Sequence, residues 1–360
     1  MTAPVLERAA PATPRRSAGR VAVLALGLLA ALLVAVLLSI GIGQFAISPA
    51  EILHLLLKPL GIAAGAEPAQ PTAEPALWTI RLPRVVMALV IGAALAVSGL
   101  IMQAVFGNPL AEPGVVGVSS GAALGACAAI VLGLSFAGEW TIALMAFAGG
   151  LAATLVVYAF SRSGGKTEVV TLLLTGIAVN AVGGAGIAFL SFLGDTQARE
   201  QIVFWQLGSL NGSRWVQVGV VLPIIAIGIA VAFLLARRLD LLSLGEKQAR
   251  HLGVDVERLR IVAIVVVALL VGAAVAFAGI IAFVGLVVPH LLRMILGPAH
   301  LPLMITSTIG GALLLTVADL VARTAVPYAD LPIGMLTSIV GGPFFFWLLR
   351  RTRRRAGGWG

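Results

Sequence analysis

Few residues in this 360-residue chain have types and spacings that could do chemistry. Gly165-Lys166-Thr167 looks like the end of a phosphate-binding loop, but that loop needs a glycine at position 160, where Phe160 stands. No strand pattern precedes it, so nucleotide binding here is rejected and any ATP use belongs to another subunit. The histidines include no His-x-x-x-His pair of the kind that holds zinc on a helix. A lone cysteine, Cys127, rules out an intrachain disulfide. His290 follows Pro289 in an apolar run and reads either as a ligand or as a structural residue. Arg323 stands four residues after Asp319, so the two could pair on one helix face. Arg81 and Arg84 precede another apolar run and could either pair with acidic groups on a partner or snorkel to headgroups.

The densest charge lies in Arg237–Arg260, where 10 of the chain's 39 Asp, Glu, Lys and Arg residues fall in 24 positions. Each ionised side chain in hydrocarbon costs roughly 2.5–3.5 kcal/mol, so this stretch is expected to be a water-facing loop between spans. Glu246 to Leu252 are mostly good helix formers, and Gly253 supplies a stop. Leu244, Ala249, Leu252 and Val254 give this short helix apolar contacts to offer. It reads as a handle for a partner protein or as a solvated loop that only sets topology.

The elements that must position these residues follow from composition. The chain is 60% hydrophobic and 11% charged, too apolar for a soluble domain of this length. Spans need about 20 apolar residues. Ten runs qualify: 21–40, 83–106, 115–134, 140–160, 168–193, 214–236, 260–280, 283–296, 301–322 and 332–350. The eighth is short and holds Pro289, so it reads as a broken span. The expectation is an all-α polytopic membrane protein: a disordered N-terminus over 1–20, a membrane domain over 21–350 and a tail over 351–360. Gly121-x-x-x-Gly125 is one of several small-residue pairs that allow close helix packing.

The net charge of +9 does not require nucleic acid. With a cytoplasmic N-terminus and ten spans, inner segments carry 18 Lys or Arg against 7 acids, and outer segments 6 against 8. That satisfies the positive-inside rule and puts both termini in the cytoplasm. Ser48-Pro49-Ala50-Glu51 has the pattern of a helix start, and 63–76 reads as a mobile outer loop. Gln103 and Asn108 are polar groups at the inner end of the second span. The fifth span carries Thr171, Thr175, Asn180 and Ser191, which could line a cavity or bond between helices. Phe204–Gly208 reads as an interfacial helix.

Shifted by 180 residues, the chain overlays itself. Gly92, Ala93, Ala94, Ala96, Gly99 and Ile101 match at 272, 273, 274, 276, 279 and 281, and Pro109 matches Pro289. Five spans separate the copies, so they insert with opposite orientation, the signature of an inverted repeat in transporters.

Arg81-Leu-Pro-Arg84, Gln103, Asn108-Pro-Leu-Ala-x-Pro113 with Gly117, and Leu244-Gly-Glu-x-Gln-Ala-x-x-Leu-Gly253 carry a resemblance. So do Phe283-Val-Gly-Leu-x-x-Pro-His290 with Arg293, Leu331-Pro-Ile-Gly334 and Gly341-x-Pro343. Together they resemble the FecCD family of ABC-transporter permeases, which import haem, iron–siderophore complexes and cobalamin. Among these the chain looks most like haem permeases of proteobacteria. The resemblance implies a type II importer permease in a bacterial inner membrane. It further implies a homodimer around a central path, two ABC ATPase subunits that hold ATP and Mg, and one periplasmic binding protein. The permease itself would keep no permanent cofactor, with haem or an iron chelate as cargo. Arg81, Arg84 and Arg323 would dock the binding protein. Within a coupling segment over about 239–256, Leu244, Gly245, Ala249, Leu252 and Gly253 would meet the ATPase. The fifth and tenth spans would line the path, with Thr171, Thr175, Asn180, Gln103 and Asn108 as candidate contacts. A secondary transporter is the competing class. It would keep an ionisable residue at membrane depth, and the acids of this chain fall at span ends or in loops.

Overall fold

A computed structural model describes residues 15–43, 45–62, 64–163 and 166–355. Its helices are α1 (Arg15–Gly41), α2 (Pro49–Leu57), α3 (Leu82–Val105), α4 (Val118–Val131), α5 (Thr141–Phe160) and α6 (Val169–Leu193). They continue as α7 (Thr196–Leu207), α8 (Trp215–Leu242), α9 (Glu246–His251), α10 (Val256–Ala278), α11 (Val284–Leu296), α12 (His300–Thr324) and α13 (Ile333–Arg355). A two-residue antiparallel ladder pairs β1 (Arg162–Ser163) with β2 (Lys166–Thr167). Among the described residues seven helices are long and apolar enough to cross a membrane, and the shorter apolar helices at Val118–Val131, Val284–Leu296 and Ile333–Phe346 bring the set to ten.

Boundaries shift where local chemistry overrides hydropathy. Residues 1–14 of the expected irregular N-terminus lie outside the described residues, and α1 already begins at Arg15. Residues 356–360 of the tail lie outside them too, and α13 runs on to Arg355. The third span is shorter than its apolar run. Pro113–Val116 form a 3₁₀ turn, Gly117 takes φ +78°, and α4 keeps 14 residues. The charged stretch Arg237–Arg260 is not all loop: Arg237–Leu242 finish α8 and Val256–Arg260 begin α10. The segment 64–76 is tied back to α2, with the Ala66 N–H on the Ala50 carbonyl. Ser48 and Glu51 form a reciprocal capping box on α2. Glu51 also accepts the Ala69 N–H at 2.7 Å, and Lys58 pairs with Glu74. These donors hold the Glu51 carboxyl below its usual range.

Two helices form the centre. The apolar window of α3 is 83% buried and that of α10 is 72%, against 6% for α1 and 17% for α6. A helix buried on all sides needs apolar residues all round, which α3 and α10 supply. It also needs small residues wherever another backbone crosses. A Cβ on Gly92 would lie 2.2 Å from the Gly311 carbonyl oxygen of α12, and one on Gly99 would lie 1.8 Å from that of Gly285 in α11.

After α10 the chain breaks. Gly279 takes φ +69°, and Phe283 takes φ +68°, a conformation that costs a bulky side chain energy. The half-length α11 that follows holds 13 residues, or about 20 Å of rise, too little for a 30 Å core. Its first turn packs on Gly99. Gly99→Val should therefore displace α11 from α3 and cost at least about 3 kcal/mol through overpacking against backbone. Thermal unfolding of the detergent-solubilised variant measures this, and a wild-type melting curve would contradict the packing.

Candidate functional site

The chain concentrates its polar contacts at its two ends. At one end, Arg81, Arg84 and Arg323 line a single cavity of about 350 Å³ with Phe45, Asn211, Tyr328 and Asp330. The three arginines named as docking residues are nearly buried and engaged within the chain. The Arg81 guanidinium donates to the carbonyls of Ile40 and Phe45 at 2.5 Å and Gly41 at 3.0 Å, and it stacks 4.8 Å from the Phe45 ring. Ile40 and Gly41 are the last two residues of α1 and Phe45 lies in the loop after it, so Arg81, just before α3, ties the end of α1 and that loop to α3. Arg84 donates from Nε to Asp319 at 2.8 Å and from Nη1 to Asp330 at 2.9 Å. Arg323 donates to the carbonyl and hydroxyl of Ser39 and lies 3.7 Å from Asp319. The Asp319–Arg323 pairing expected from spacing is thus secondary to the Asp319–Arg84 bond. Tyr328 stands beside them, 92% exposed at φ +60°.

At the other end α9 begins after Gly245 and ends before Gly253. Both glycines need positive φ, +108° and +85°, which an L-side chain rarely adopts. Leu244 and Leu252 are exposed at 59% and 58%, while Ala249 is wholly buried in its own chain. Ala249 therefore does not face outward as expected. Its small size lets α9 sit flat on the spans, and the outward apolar pair is Leu244 and Leu252. Behind α9, Arg260 is buried and donates to Glu246 of α9 and to the Thr167 carbonyl at 2.9 Å. Glu257 accepts from the Thr167 N–H at 2.8 Å and hydroxyl at 2.6 Å. On α8, Asp240 holds both the backbone N–H and Nδ1 of His300 at 2.7 Å.

The structure separates the five candidate path residues. Gln103 is buried, and its amide approaches the Gly285 and Leu286 carbonyls at 3.4 Å. Pro289 has no N–H for the Gly285 carbonyl, so Gln103 occupies the place of the missing helical donor. Asn108 is exposed and accepts from Leu110 N–H in an Asx turn. Thr171 donates to Glu168. Thr175 lines an apolar cavity of about 590 Å³ between α4, α5 and α6. Of the five, Asn180 is the one that lines a mainly apolar cavity of about 420 Å³, whose other polar side chains are Glu112, Ser119 and Ser120. There it accepts from the Ser120 hydroxyl at 2.7 Å and donates to the Gly114 carbonyl at 3.3 Å.

Sequence reasoning missed Glu112, whose carboxylate accepts from the Phe283 N–H at 3.2 Å and so caps α11. It also missed Ser39, Asp330, Thr167 and Arg260 as anchoring partners. None has a local spacing signal, because each partner lies on a remote helix. The run Gly117-x-Ser119-x-Gly121 has the spacing of a nucleophile elbow. It opens α4 after a 3₁₀ turn rather than following a strand, so the elbow geometry is absent. His290 is 9% exposed on the half-length α11, and its Nδ1 is buried without a hydrogen-bond partner. Among the described residues no three His, Cys, Asp or Glu side chains converge as a metal site.

Asp319 is the acid on which this end depends. Asp319→Ala should destabilise the protein by about 3–5 kcal/mol, because it strips Arg84 of a buried partner. Replacing both residues with apolar ones (Arg84→Met with Asp319→Leu) should cost less than the single change. Melting curves of the three proteins decide this, and a double variant worse than Asp319→Ala would show that the pair itself is the main stabiliser.

Comparison with known proteins converges on one family. The sequence profile of the FecCD transport family matches residues 31–351. The hemin transport system permease protein of Yersinia pestis is 44% identical over 288 residues, covering 78% of this chain and 85% of that protein. A cobalamin import system permease of Halobacterium salinarum is 43% identical, covering 79% and 76%, and the vitamin B12 import system permease of Escherichia coli is 39% identical, covering 84% and 94%. Among solved structures, the inward-facing form of an ABC transporter assigned to the metal-chelate type superposes with a TM-score of 0.80 at 32% identity, covering 91% of this chain and 98% of that one. With the broken helices and the glycine-capped α9 in place, the chain belongs to the FecCD transport family.

Proposed function

We propose that this permease moves haem, or a related iron chelate, from a binding protein into the cytoplasm. It is the non-enzymatic membrane subunit of an ABC importer, and hydrolysis of ATP with Mg belongs to a separate subunit. Haem as cargo rests on the similarity to the hemin permease, and cobalamin is the alternative because B12 permeases are nearly as similar. The working assembly is a homodimer with two ATPase subunits on the α9 side and one binding protein at the opposite mouth, both termini being cytoplasmic. The basic residues near α9 and at the C-terminal end of α13 support this orientation. The cargo path runs between the two copies of α6 and α13. The exposed apolar faces of α6 (Ile177, Val182, Phe189) and α13 (Ile339, Val340) support that placement.

The observation that carries the reading is α9: a six-residue helix held between two spans by glycine caps, with Leu244 and Leu252 projecting from it. Two exposed leucines beside charged residues suit a groove on a partner protein. Leu244→Asp with Leu252→Asp should abolish ATPase association, read by copurification, while the permease still melts as wild type. Undiminished copurification would remove α9 from the interface. For the cargo, the reconstituted complex is assayed with the binding protein loaded in turn with haem, cobalamin or a ferric siderophore. Haem should stimulate ATP hydrolysis most, and stronger stimulation by cobalamin would reassign the cargo.

At the other mouth, Arg81, Arg84 and Arg323 are proposed as the positive floor of the docking site. Their guanidiniums are engaged within the chain, so they act by field and orientation rather than as free hooks. Tyr328 at the rim is placed to make the direct contact. Tyr328→Ala should weaken binding-protein association about tenfold, and higher salt should slow the on-rate of both proteins. Unchanged affinity in a direct binding assay would move the docking site elsewhere.

A further inference from the structure

Arg260 lies four residues into α10, and its side chain is only 4% exposed. A buried guanidinium is expensive unless its donors are answered. Nη1 and Nη2 are answered by groups from different elements, while Nε is buried without a partner. Nη2 bonds the carboxylate of Glu246, the first residue of α9, and Nη1 bonds the carbonyl of Thr167 at 2.9 Å. Thr167 ends the ladder that leads directly into α6, whose first residue is Val169. The ladder is closed at its base by the Glu168 N–H on the Ser161 carbonyl at 3.1 Å. Glu257, one turn before Arg260 on α10, holds the same Thr167 through its N–H and hydroxyl. One turn of α10 therefore grips both the exposed helix α9 and the start of α6.

We infer that Arg260 is a positioning residue that transmits movement of α9 to the start of α6, joining the ATPase contact to the wall of the cargo path. This rests on the reading of α9 as the ATPase contact and of α6 as a path helix. The covalent connections alone would do this poorly. Between α9 and α10 the chain runs through Gly253, a position open to many conformations. Between α9 and α6 there is no direct connection, since α7 and α8 intervene. The Arg260 contacts cross that gap in two hydrogen bonds. Glu246 adds stiffness on its own helix through its approach to Arg250 at 3.7 Å. Because Glu246 is 45% exposed and Arg260 is not, the pair faces water on the α9 side alone. Displacing Glu246 would leave a buried cation with one neutral acceptor, so α9 and α10 shift together rather than part.

The test uses the reconstituted complex of permease, ATPase and binding protein, and measures cargo delivered per ATP hydrolysed. Arg260→Gln should keep ATPase copurification within about twofold of wild type while the delivery ratio falls about tenfold. Glu246→Gln should lower the same ratio, and combining it with Arg260→Gln should add little, since both changes cut one link. Glu257→Gln should also lower the ratio, because it frees Thr167 from the other side. Arg260→Lys, which keeps the charge but bonds one partner at a time, should recover part of the loss. A wild-type ratio in assembled Arg260→Gln would overturn the inference, as would simply additive losses in the double variant. If Arg260→Gln does not assemble, Glu246→Gln and Arg260→Lys decide the matter, and wild-type ratios in both overturn it. Failure of the underlying reading is separate: Leu252→Asp with full copurification and uptake would remove α9 from the ATPase interface, whatever Arg260 does.

Discussion

A cation withdrawn from water must be answered by acceptors, and this rule organises both ends of the permease. Arg84 is answered by Asp319 and Asp330, Arg81 by two carbonyls at the end of α1 and one in the loop after it, and Arg260 by Glu246 and the Thr167 carbonyl. In each case the partner comes from another helix or loop. The arginines thereby act as rivets between elements that share no sequence neighbourhood. Breaking one costs more than the bond is worth, because the orphaned charge remains inside. The same rule governs backbone groups. Gln103 stands in for the N–H that Pro289 lacks, and Glu112 caps the start of α11.

Between the two riveted ends the protein is held by shape. Lipid gives helices no hydrophobic reason to associate, so close backbone approach and buried polar bonds carry the packing. Gly92 against Gly311 and Gly99 against Gly285 let α3 sit at the centre with other helices against its backbone. Half-length helices are tolerated because they are buried in protein rather than exposed to hydrocarbon. The strained Phe283 at the break packs against Gly341 of α13, where a Cβ would lie 2.3 Å from the ring. Strain of this kind persists only where neighbours over-determine it. Here those neighbours are Glu112 from one half of the repeat and α13 from the other end of the chain.

This arrangement suits the membrane subunit of an importer whose ATPase is a separate subunit. The chemistry of ATP lies elsewhere, so the chain needs no catalytic group. It needs rigid links, and α10 supplies one: a grip on α9 and on the start of α6 at its first turn, with the Gly279–Phe283 break following its last. α3 plays the matching part at the opposite mouth, where Arg81 and Arg84 fasten its first turn to α1 and α12. The two central helices are the pair related by the internal repeat.

The sequence by itself determined the class, the ten spans, the broken eighth span and the position of α9. These depend on hydropathy, on glycine and proline and on charge density, which are local properties of consecutive residues. It named Arg81, Arg84 and Arg323 as a group, and the structure brings them into one cavity. The tertiary structure decided what each one touches. Ala249 turned inward, Gln103 went to a helix carbonyl, and Thr175 and Asn180 went to different cavities. A helix with apolar residues on every side has no periodicity to say which face meets a neighbour. The partners of Arg84 lie 235 and 246 residues away, and that of Asn180 lies 60 away, so only the packed arrangement could select them.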